Sequence, residues 1–293
     1  HEKTIDKIER IVLAESESAC DLIVFPESFI PGYPRGFHFA KVGSRSDNDR
    51  ELYKDYYNNS IGIQSKETKR LIDLSKKTNT YLVIGVTEKD EVSGSLYCST
   101  FYISPTNGLM GVHRKIKPTA SERIFWAESD GSSLLSFDTK IGKLGGLICW
   151  ENYMPLARMS MYKQAVQIYI APTADSRDEW TSTMRHIALE GRCFVIGCNQ
   201  YFNRSMYPEK YHNYLSDDLE EICPGGSLIV SPMGKIIEGP VFGQSKILRA
   251  NLDLDDITAS KLDFDVIGHY SRNDIFELKI NNQPNIIIES ELS

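Results

Sequence analysis

Short apolar runs alternate along the chain with segments in which apolar residues recur at helical spacing. The helical spacing occurs at residues 3–19 and 64–78, and it predicts a helix over each segment. The compact apolar runs predict strands. They lie at residues 21–25, 81–86, 96–103, 109–113, 143–149, 167–171, 194–197, 227–231 and 247–252. Because strands and helices alternate, we expect an α/β fold.

Residues with strong turn and capping preferences mark where several elements begin and end. Asn107-Gly108 separates two strands and predicts a hairpin, since both residue types tolerate a positive φ. Pro155 predicts a helix start, where its missing N–H is not needed. Ser176 and Glu179 have the spacing of a capping box for a helix that ends at Gly191. The hairpin indicates that the sheets are mixed rather than purely parallel.

Two predicted loops, at 28–50 and 201–225, are unusually long for a compact fold. Loops of that length are more often functional than filler. Several aromatic residues in the first loop could form the wall of a pocket. They are Phe29, Tyr33, Phe37 and Phe39.

The composition is that of a soluble globular protein, with 41% hydrophobic and 25% charged residues among 293. We find no internal repeat, low-complexity block or linker, and therefore expect one domain over residues 1–293. The net charge of -7 argues against a nucleic-acid or acidic-lipid partner. No apolar stretch is long enough to span a membrane, and no signal peptide opens the chain. Six sparse cysteines indicate free thiols and a reducing, cytoplasmic compartment.

Three reactive side chains follow apolar strands: Glu27, Lys115 and Cys149. Open sheets bind ligands at the carboxyl ends of their strands, so this placement favours a shared site. A helix start after Cys149 would favour its thiolate. Singly, however, each residue also fits a structural role, as a buried thiol, a loop carboxylate or part of a basic edge. The histidines are scattered, and no Cys/His spacing predicts a metal site or cofactor, although His113 could act as a base for Cys149.

Six segments together resemble the nitrilase branch of the carbon–nitrogen hydrolase superfamily, in the family's order and over most of the chain. They are FPESFIPGYPRG (25–36), HRKIKPTASERIFW (113–126), GKLGGLICWENYMPLARMSMY (142–162), IALEGRCFVIGCNQ (187–200), GGSLIVSPMGKIIEGP (225–240) and FDVIGHYSRNDIF (264–276). The resemblance implies a four-layer α-β-β-α sandwich with two mixed sheets. It also implies a homodimer of eight layers that often assembles into longer spirals.

The same resemblance implies a catalytic set of Glu27, Lys115 and Cys149, with Glu122 as a supporting carboxylate and no cofactor. The expected reaction converts a small organic nitrile to a carboxylic acid and ammonia. Cys149-Trp-Glu and the segment from Gly268 to Arg272 resemble nitrilases more than amidases or carbamoylases, which remain the nearest alternative. A catalytically silent, filament-forming scaffold is the alternative from a different class.

Motif position also suggests residues around the catalytic set. Candidate substrate-binding residues are Tyr33, Thr119, Trp150, Pro172 and Thr173. We expect the Trp150 N–H to reach Glu151, or the indole simply to pack.

Two arginines and one helix have expected structural roles. Arg158 and Arg192 are expected in structural ion pairs. The helix over 176–192, with His186, is a candidate subunit interface because its Met/Ile/Ala face needs a partner.

The resemblance departs from the family at the start of the chain. Family members usually begin with a strand that carries an Ala-x-x-Gln-like segment, whereas this chain opens at the helix that follows it. A missing central strand would leave backbone groups unpaired at a cost of about 1–3 kcal/mol each. We therefore expect that residues upstream of His1 were cleaved or are missing. Because the chain stops soon after Pro284, we also expect it to lack a long family-type tail.

Overall fold

The computed structural model of the protein describes residues 1–37, 46–215 and 220–284. The helices in these residues are α1 (Glu2–Ser16), α2 (Asp47–Asn59), α3 (Lys66–Thr78), α4 (Pro155–Lys163), α5 (Asp178–Gly191) and α6 (Asp255–Ser260). The strands are β1 (Leu22–Val24), β2 (Tyr81–Lys89), β3 (Leu96–Ser104), β4 (Gly108–Arg114), β5 (Ser136–Thr139), β6 (Gly142–Gly146), β7 (Ile168–Thr173), β8 (Phe194–Asn199), β9 (Tyr201–Asn203), β10 (Glu221–Val230) and β11 (Ile236–Phe242).

The strands form two mixed sheets. The first has the order β1-β2-β3-β4, in which β1 and β2 are parallel and the later pairs are antiparallel. The second has the order β11-β10-β8-β7-β6-β5, with β9 beside β10. Its centre, β6-β7-β8, is parallel, and its flanking strands are antiparallel. The expected mixed sheets are confirmed.

Three apolar layers hold the sheets and helices together. The first lies between α1, α3 and the first sheet, and it includes Ile5 and Leu71. The second lies between the two sheets, where Tyr102 packs in one cluster with Ile168 and Ile170. The third lies between the second sheet and α4 and α5. The predicted α-β-β-α sandwich is therefore confirmed.

Local sequence signals explain several element ends. Ser65 accepts a hydrogen bond from the Thr68 N–H and so begins α3, while Asn79 ends it in the left-handed conformation. Pro155 begins α4 as predicted. Gly108 begins β4 with a φ of 67°, and the predicted hairpin is present, although its turn extends back to Ser104.

Some predicted boundaries were wrong. The capping box at 176–179 is not formed, because the Ser176 hydroxyl bonds to the Asn199 amide instead, and α5 begins at Asp178. It ends at Gly191, but Arg192 is the residue with positive φ. The strand predicted to reach Cys149 ends at Gly146.

The predicted long loops contain regular structure. Helix α2 begins at Asp47, where Ser46 and Asp49 form a capping box, so the loop predicted at 28–50 is shorter. The stretch predicted as a loop at 201–225 contains β9 and the start of β10.

The segment 247–252, predicted as a strand, forms no ladder with any described residue. It faces β1 across a cavity of about 630 Å³, and an Arg249–Glu15 ion pair attaches it to α1. Among the described residues, β1 pairs only with β2. A segment without a pairing partner cannot satisfy its backbone groups as a strand does. The expectation that residues are missing upstream of His1 stays a prediction.

Across residues 1–37, 46–215 and 220–284, no helix combines the length and apolarity that crossing a bilayer requires.

Candidate active site

Residues from both sheets meet at one buried point. Glu27 follows β1 and Lys115 follows β4, both in the first sheet. Cys149 follows β6, and Thr173 ends β7, both in the second sheet. The side chains of Glu27, Lys115 and Thr173 have no exposed surface, and Cys149 is 5% exposed. The structure thus brings together the three residues that the sequence singled out.

Glu27 lies where the chain crosses closely over β2. Gly85 on β2 permits this, since a Cβ there would overlap the Pro26 carbonyl oxygen and lie 2.8 Å from the Glu27 Cα. Glu27 Oε1 accepts a hydrogen bond from Lys115 Nζ at 2.7 Å, while the buried Glu27 Oε2 has no partner among the described residues. Burial raises the pKa of this carboxyl, Lys115 opposes the rise and Glu122 adds to it.

Lys115 is held between two carboxylates. Its Nζ donates to Glu27 Oε1 and, at 2.8 Å, to Glu122 Oε2, and its backbone N–H donates to the Cys98 carbonyl at 2.7 Å. Burial alone would lower the pKa of the ammonium, but Glu27, Cys149 and Glu122 raise it well above its usual value. Lys115 is therefore a fixed positive charge in a buried site.

Glu122 is fixed by three donors. Besides Lys115, it accepts hydrogen bonds from the Tyr33 hydroxyl at 2.6 Å and from the Thr119 N–H at 2.6 Å. Tyr33 and Thr119, predicted from motif position to bind substrate, thus contact the supporting carboxylate directly. Burial raises the pKa of the Tyr33 phenol, and Glu122 adds to that rise. The tyrosine therefore stays a hydrogen-bond donor.

Cys149 is the first residue of a 3-10 helix, Cys149–Tyr153, and has a φ of 50°. Its Sγ accepts a hydrogen bond from the Thr173 hydroxyl at 3.1 Å. Burial raises the pKa of the thiol above its usual value, Glu27 raises it further and Lys115 opposes the rise. Burial and the neighbouring carboxylates thus favour the thiol over the thiolate, and the expectation that a helix start favours the thiolate stays a prediction. Glu27 and Glu122 are the buried carboxylates that act on this thiol.

The sequence matches known proteins over most of its length. The profile of the family described as "Carbon-nitrogen hydrolase" matches residues 1–262. An aliphatic nitrilase of Sinorhizobium fredii is 44% identical over 97% of this chain and 92% of its own length. Nitrilase 3 of Arabidopsis thaliana is 43% identical over 96% of this chain and 83% of its own length.

The chain belongs to the nitrilase branch of the carbon–nitrogen hydrolase family. A crystal structure of a carbon–nitrogen hydrolase from Helicobacter pylori has the same fold, with a TM-score of 0.73 at 17% identity. It covers 93% of this chain and 91% of that one.

A buried His–Glu pair joins the two halves of this nitrilase site, and sequence reasoning did not predict it. Glu151 Oε2 accepts from the Ile148 N–H at 2.7 Å, and Oε1 accepts from the Ile116 N–H at 2.5 Å. His113 Nε2 lies 2.9 Å from Glu151 Oε2, and its Nδ1 lies 2.9 Å from the Ser133 carbonyl oxygen. Both of these partners are acceptors, an arrangement that favours a proton on each ring nitrogen. Glu151 therefore ties the residue after Lys115 to the residue before Cys149.

The environment of His113 is consistent with a cation. Burial alone would lower the pKa of the imidazole, but Glu151 and the Ser133 carbonyl raise it above its ordinary value. The alternative that His113 is a base for Cys149 is not supported, since both ring nitrogens face other partners.

The Trp150 indole does not reach Glu151. Its Nε1 donates to Asp175 Oδ2 at 2.9 Å, and Arg177 stacks on the ring while it pairs with the same carboxylate. The indole stays 43% exposed, since the 3-10 turn directs it outward from the buried cluster. Pro172 is buried within β7, one residue before Thr173.

Two further residues contact Glu27 and lacked a sequence signal. The Cys98 thiol lies 3.5 Å from Glu27 Oε1, and the Gln200 amide donates to the Glu27 carbonyl at 3.2 Å. Cys98 lies within β3, and Gln200 directly follows β8. Gln200 also borders a cavity of about 600 Å³ lined by Phe29, Tyr33 and Phe37, as the aromatic loop predicted. Phe39 lies outside the described residues.

The expected structural roles of two arginines are confirmed. Arg158 pairs with Glu190 at 2.8 Å, and Arg192 pairs with Asp263 at 3.4 Å. The expectation that a Met/Ile/Ala face of α5 needs a partner was wrong. Those residues are buried within the chain itself, against the second sheet. They are Met184, Ile187 and Ala188.

Proposed function

We propose that this protein hydrolyses organic nitriles to carboxylic acids and ammonia, with Cys149 as the nucleophile. The observation that carries the proposal is the buried group in which Lys115 Nζ lies 2.7 Å and 2.8 Å from Glu27 and Glu122, beside the thiol that Thr173 orients. Nitrilase relatives at 43–44% identity support the same reaction.

The reaction begins with attack of the Cys149 sulfur on the nitrile carbon. Glu27 accepts the thiol proton through its free Oε2, and that proton passes to the nitrile nitrogen to give a thioimidate. Water then adds, with Glu27 as the base, and ammonia leaves from the tetrahedral intermediate. A second water hydrolyses the thioester and restores the thiol. The sum is one nitrile and two waters to one acid and one ammonia.

Lys115 stabilises the negative charge that develops in each tetrahedral step, because a buried ammonium needs no reorganisation there. Glu122 fixes the position of that ammonium, and Tyr33 and Thr119 fix Glu122. We further propose that Trp150, Pro172 and Thr173 border the substrate. Thr173 contacts the Cys149 sulfur, and Trp150 directly follows Cys149 in the sequence.

The first experiment is a panel of nitriles and matching amides, including benzonitrile, phenylacetonitrile and an aliphatic dinitrile. We expect acid and ammonia from at least one nitrile in the wild type and none from Cys149→Ala, with unchanged circular dichroism. Turnover of amides alone would favour an amidase or carbamoylase with the same residues. Appreciable nitrile hydrolysis by Cys149→Ala would contradict the mechanism.

We also propose that the protein is a homo-oligomer that works in a reducing, cytoplasmic compartment. Apolar side chains are exposed at the start of α4 and just before it, where Tyr153 is 38%, Met154 39% and Leu156 71% exposed. An exposed apolar patch of this kind is typical of an interface. The six described cysteines are all free thiols.

Size-exclusion chromatography with light scattering tests the assembly. We expect a species at least twice the 33.2 kDa chain mass, and Leu156→Asp should reduce it. Leu262→Asp, at a residue 88% exposed in another part of the chain, serves as the control. A monomer in the wild type would refute the proposal.

A further inference from the structure

Arg35 lies next to the catalytic cluster on two sides. Its Nη2 donates to the carbonyl oxygen of Ala174, the residue after Thr173, whose hydroxyl contacts the Cys149 sulfur. Its guanidinium also lies 5.7 Å from the ring of Tyr33, whose hydroxyl binds Glu122. The side chain thus bridges the aromatic loop and the end of β7.

The Arg35 guanidinium has hydrogen-bonding capacity that the protein does not use. Its Nε is buried and has no partner in the part of the chain that the structure describes. Arg35 is half-buried, and none of the ion pairs formed within that part involves it. A buried, unused donor costs about 1–3 kcal/mol, so an unpaired cation here calls for a ligand.

A comparison with Arg177 shows what Arg35 lacks. The Arg177 guanidinium donates to both carboxylate oxygens of Asp175, through Nε and Nη2, and this ion pair neutralises its charge. The catalytic group holds two carboxylates around one ammonium, which would repel an anionic substrate unless a cation faced it. Arg35 supplies a positive charge at that position without a competing acidic partner among the described residues.

We propose that Arg35 binds a carboxylate of the substrate, so that the preferred nitriles are short aliphatic cyanocarboxylates. This inference rests on the proposed nitrile hydrolysis at Cys149. A guanidinium is suited to a carboxylate because its planar N–H groups match the two oxygens. The bond to Ala174 uses one N–H of Nη2, and the remaining Nη N–H groups of this half-buried side chain are left for the substrate.

The contacts of Arg35 and Cys149 with neighbouring residues of the chain limit the length of such a substrate. Arg35 contacts residue 174 and the nucleophile contacts residue 173, and the Cα atoms of adjacent residues are about 3.8 Å apart, so a short substrate is the one suited to reach both. Two to four methylenes between the nitrile carbon and the carboxylate give such a substrate. 4-Cyanobutanoate is therefore a suitable probe, and 5-hydroxypentanenitrile is its neutral counterpart of equal length.

The test compares kcat/KM for these two nitriles in the wild type, Arg35→Gln and Arg272→Gln. Arg272 is an exposed arginine whose carboxylate partner is Asp274, and it serves as the matched control. We expect the wild type to prefer the cyanocarboxylate. In Arg35→Gln, kcat/KM for 4-cyanobutanoate divided by kcat/KM for 5-hydroxypentanenitrile should fall about 10- to 100-fold, as loss of a charged hydrogen bond predicts. Arg272→Gln should leave the ratio unchanged.

Two outcomes would overturn the inference. A wild type that prefers the neutral nitrile, or hydrolyses benzonitrile but neither probe, excludes a carboxylate site while leaving the proposed function intact. An Arg35→Gln variant that loses activity on both probes equally shows that Arg35 only positions the loop.

A binding measurement separates failure of the site from failure of the chemistry. In the Cys149→Ala background, calorimetry should show that the dicarboxylate product glutarate binds more tightly than 5-hydroxypentanoate. Adding Arg35→Gln should remove that difference. If no nitrile is hydrolysed but this difference is present, the proposed function is wrong and the carboxylate site stands; equal binding of the two acids would overturn the site.

Discussion

Glu27 and Glu122 share one cation, and this sharing determines how the reactive carboxylate titrates. Glu27 has its pKa raised by burial, and the negative charge of Glu122 raises it further. A base is active only when deprotonated, so activity falls as pH decreases through this raised pKa. The acid limb of kcat/KM therefore lies above the ordinary glutamate pKa of about 4.3. Because the groups are coupled, the limb belongs to the cluster.

Glu122→Gln tests this coupling. Removing the negative charge lowers the pKa of Glu27, so the acid limb of kcat/KM should move to lower pH by about one pH unit. The kcat at the optimum should fall about 10-fold or more, because Lys115 loses a charged partner. Full pH profiles of the wild type and the variant, on one nitrile, give both values. A limb that stays in place or moves to higher pH would exclude an effect of Glu122 on Glu27.

The sequence predicted which residues lie in the site, but it did not predict the contacts that their neighbours make. Glu27, Lys115 and Cys149 could be selected because each follows an apolar strand, and open sheets bind ligands at the carboxyl ends of their strands. The partners of Trp150 could not be predicted, since Asp175 is 25 residues away and its approach depends on how β7 ends.

At the level of elements, the close crossing at β2 places Glu27. Gly85→Ala should move the Pro26–Glu27 backbone, because the added methyl overlaps backbone atoms that cannot rotate away. We expect kcat to fall at least about 100-fold, since a displacement near 1 Å is enough for such a loss. Gly62→Ala is the matched control, because there the methyl meets only the flexible end of the exposed Glu91 side chain. Kinetics and circular dichroism of both variants measure the effect, and equal losses would contradict it.

The Glu151–His113 pair joins β4 to the turn that begins at Cys149. Removing one member of a buried ion pair costs about 3–5 kcal/mol of unfolding free energy. Glu151→Gln should show a loss of that size in urea unfolding, together with a lower kcat, since its amide nitrogen would face a backbone donor in place of either oxygen. His113→Gln should lose less, because an amide can still donate to Glu151. Equal and small losses in both variants would argue against a paired charge.

The same pair predicts a pH dependence of stability. The folded pKa of His113 is raised above its unfolded value of about 6.5. Its stabilising contribution is therefore complete below that unfolded value and is lost as pH rises through the folded value. The wild type should lose more unfolding free energy than His113→Gln between neutral and alkaline pH.

Elements with a clear apolar period could be predicted, and those that depend on a partner could not. α1 and α3 follow from the spacing of Ile5, Ile8 and Leu71, which all face the first sheet. The segment 247–252 has strand composition, but no described strand pairs with it. Helix α2 was missed because only Leu52 in it is buried, and its polar sequence has little apolar period.

For the whole molecule, the site exists only while both sheets are packed together. Glu27 and Lys115 come from the first sheet, and Cys149 and Thr173 come from the second. The layer between them, which contains Tyr102 and Ile170, therefore maintains the catalytic distances. Activity and secondary structure should be lost with the same midpoint in urea. Residual activity after the far-ultraviolet transition would show that the sheets do not separate together.

Trp150 has an optical consequence. Of the three tryptophans, Trp126 and Trp180 are 2% and 1% exposed, whereas the Trp150 indole is 43% exposed beside the nucleophile. Its fluorescence should therefore be the red-shifted component and the one that dissolved iodide quenches. A nitrile that covers the indole would reduce that quenching, so substrate binding can be followed by the intrinsic fluorescence of the unlabelled protein.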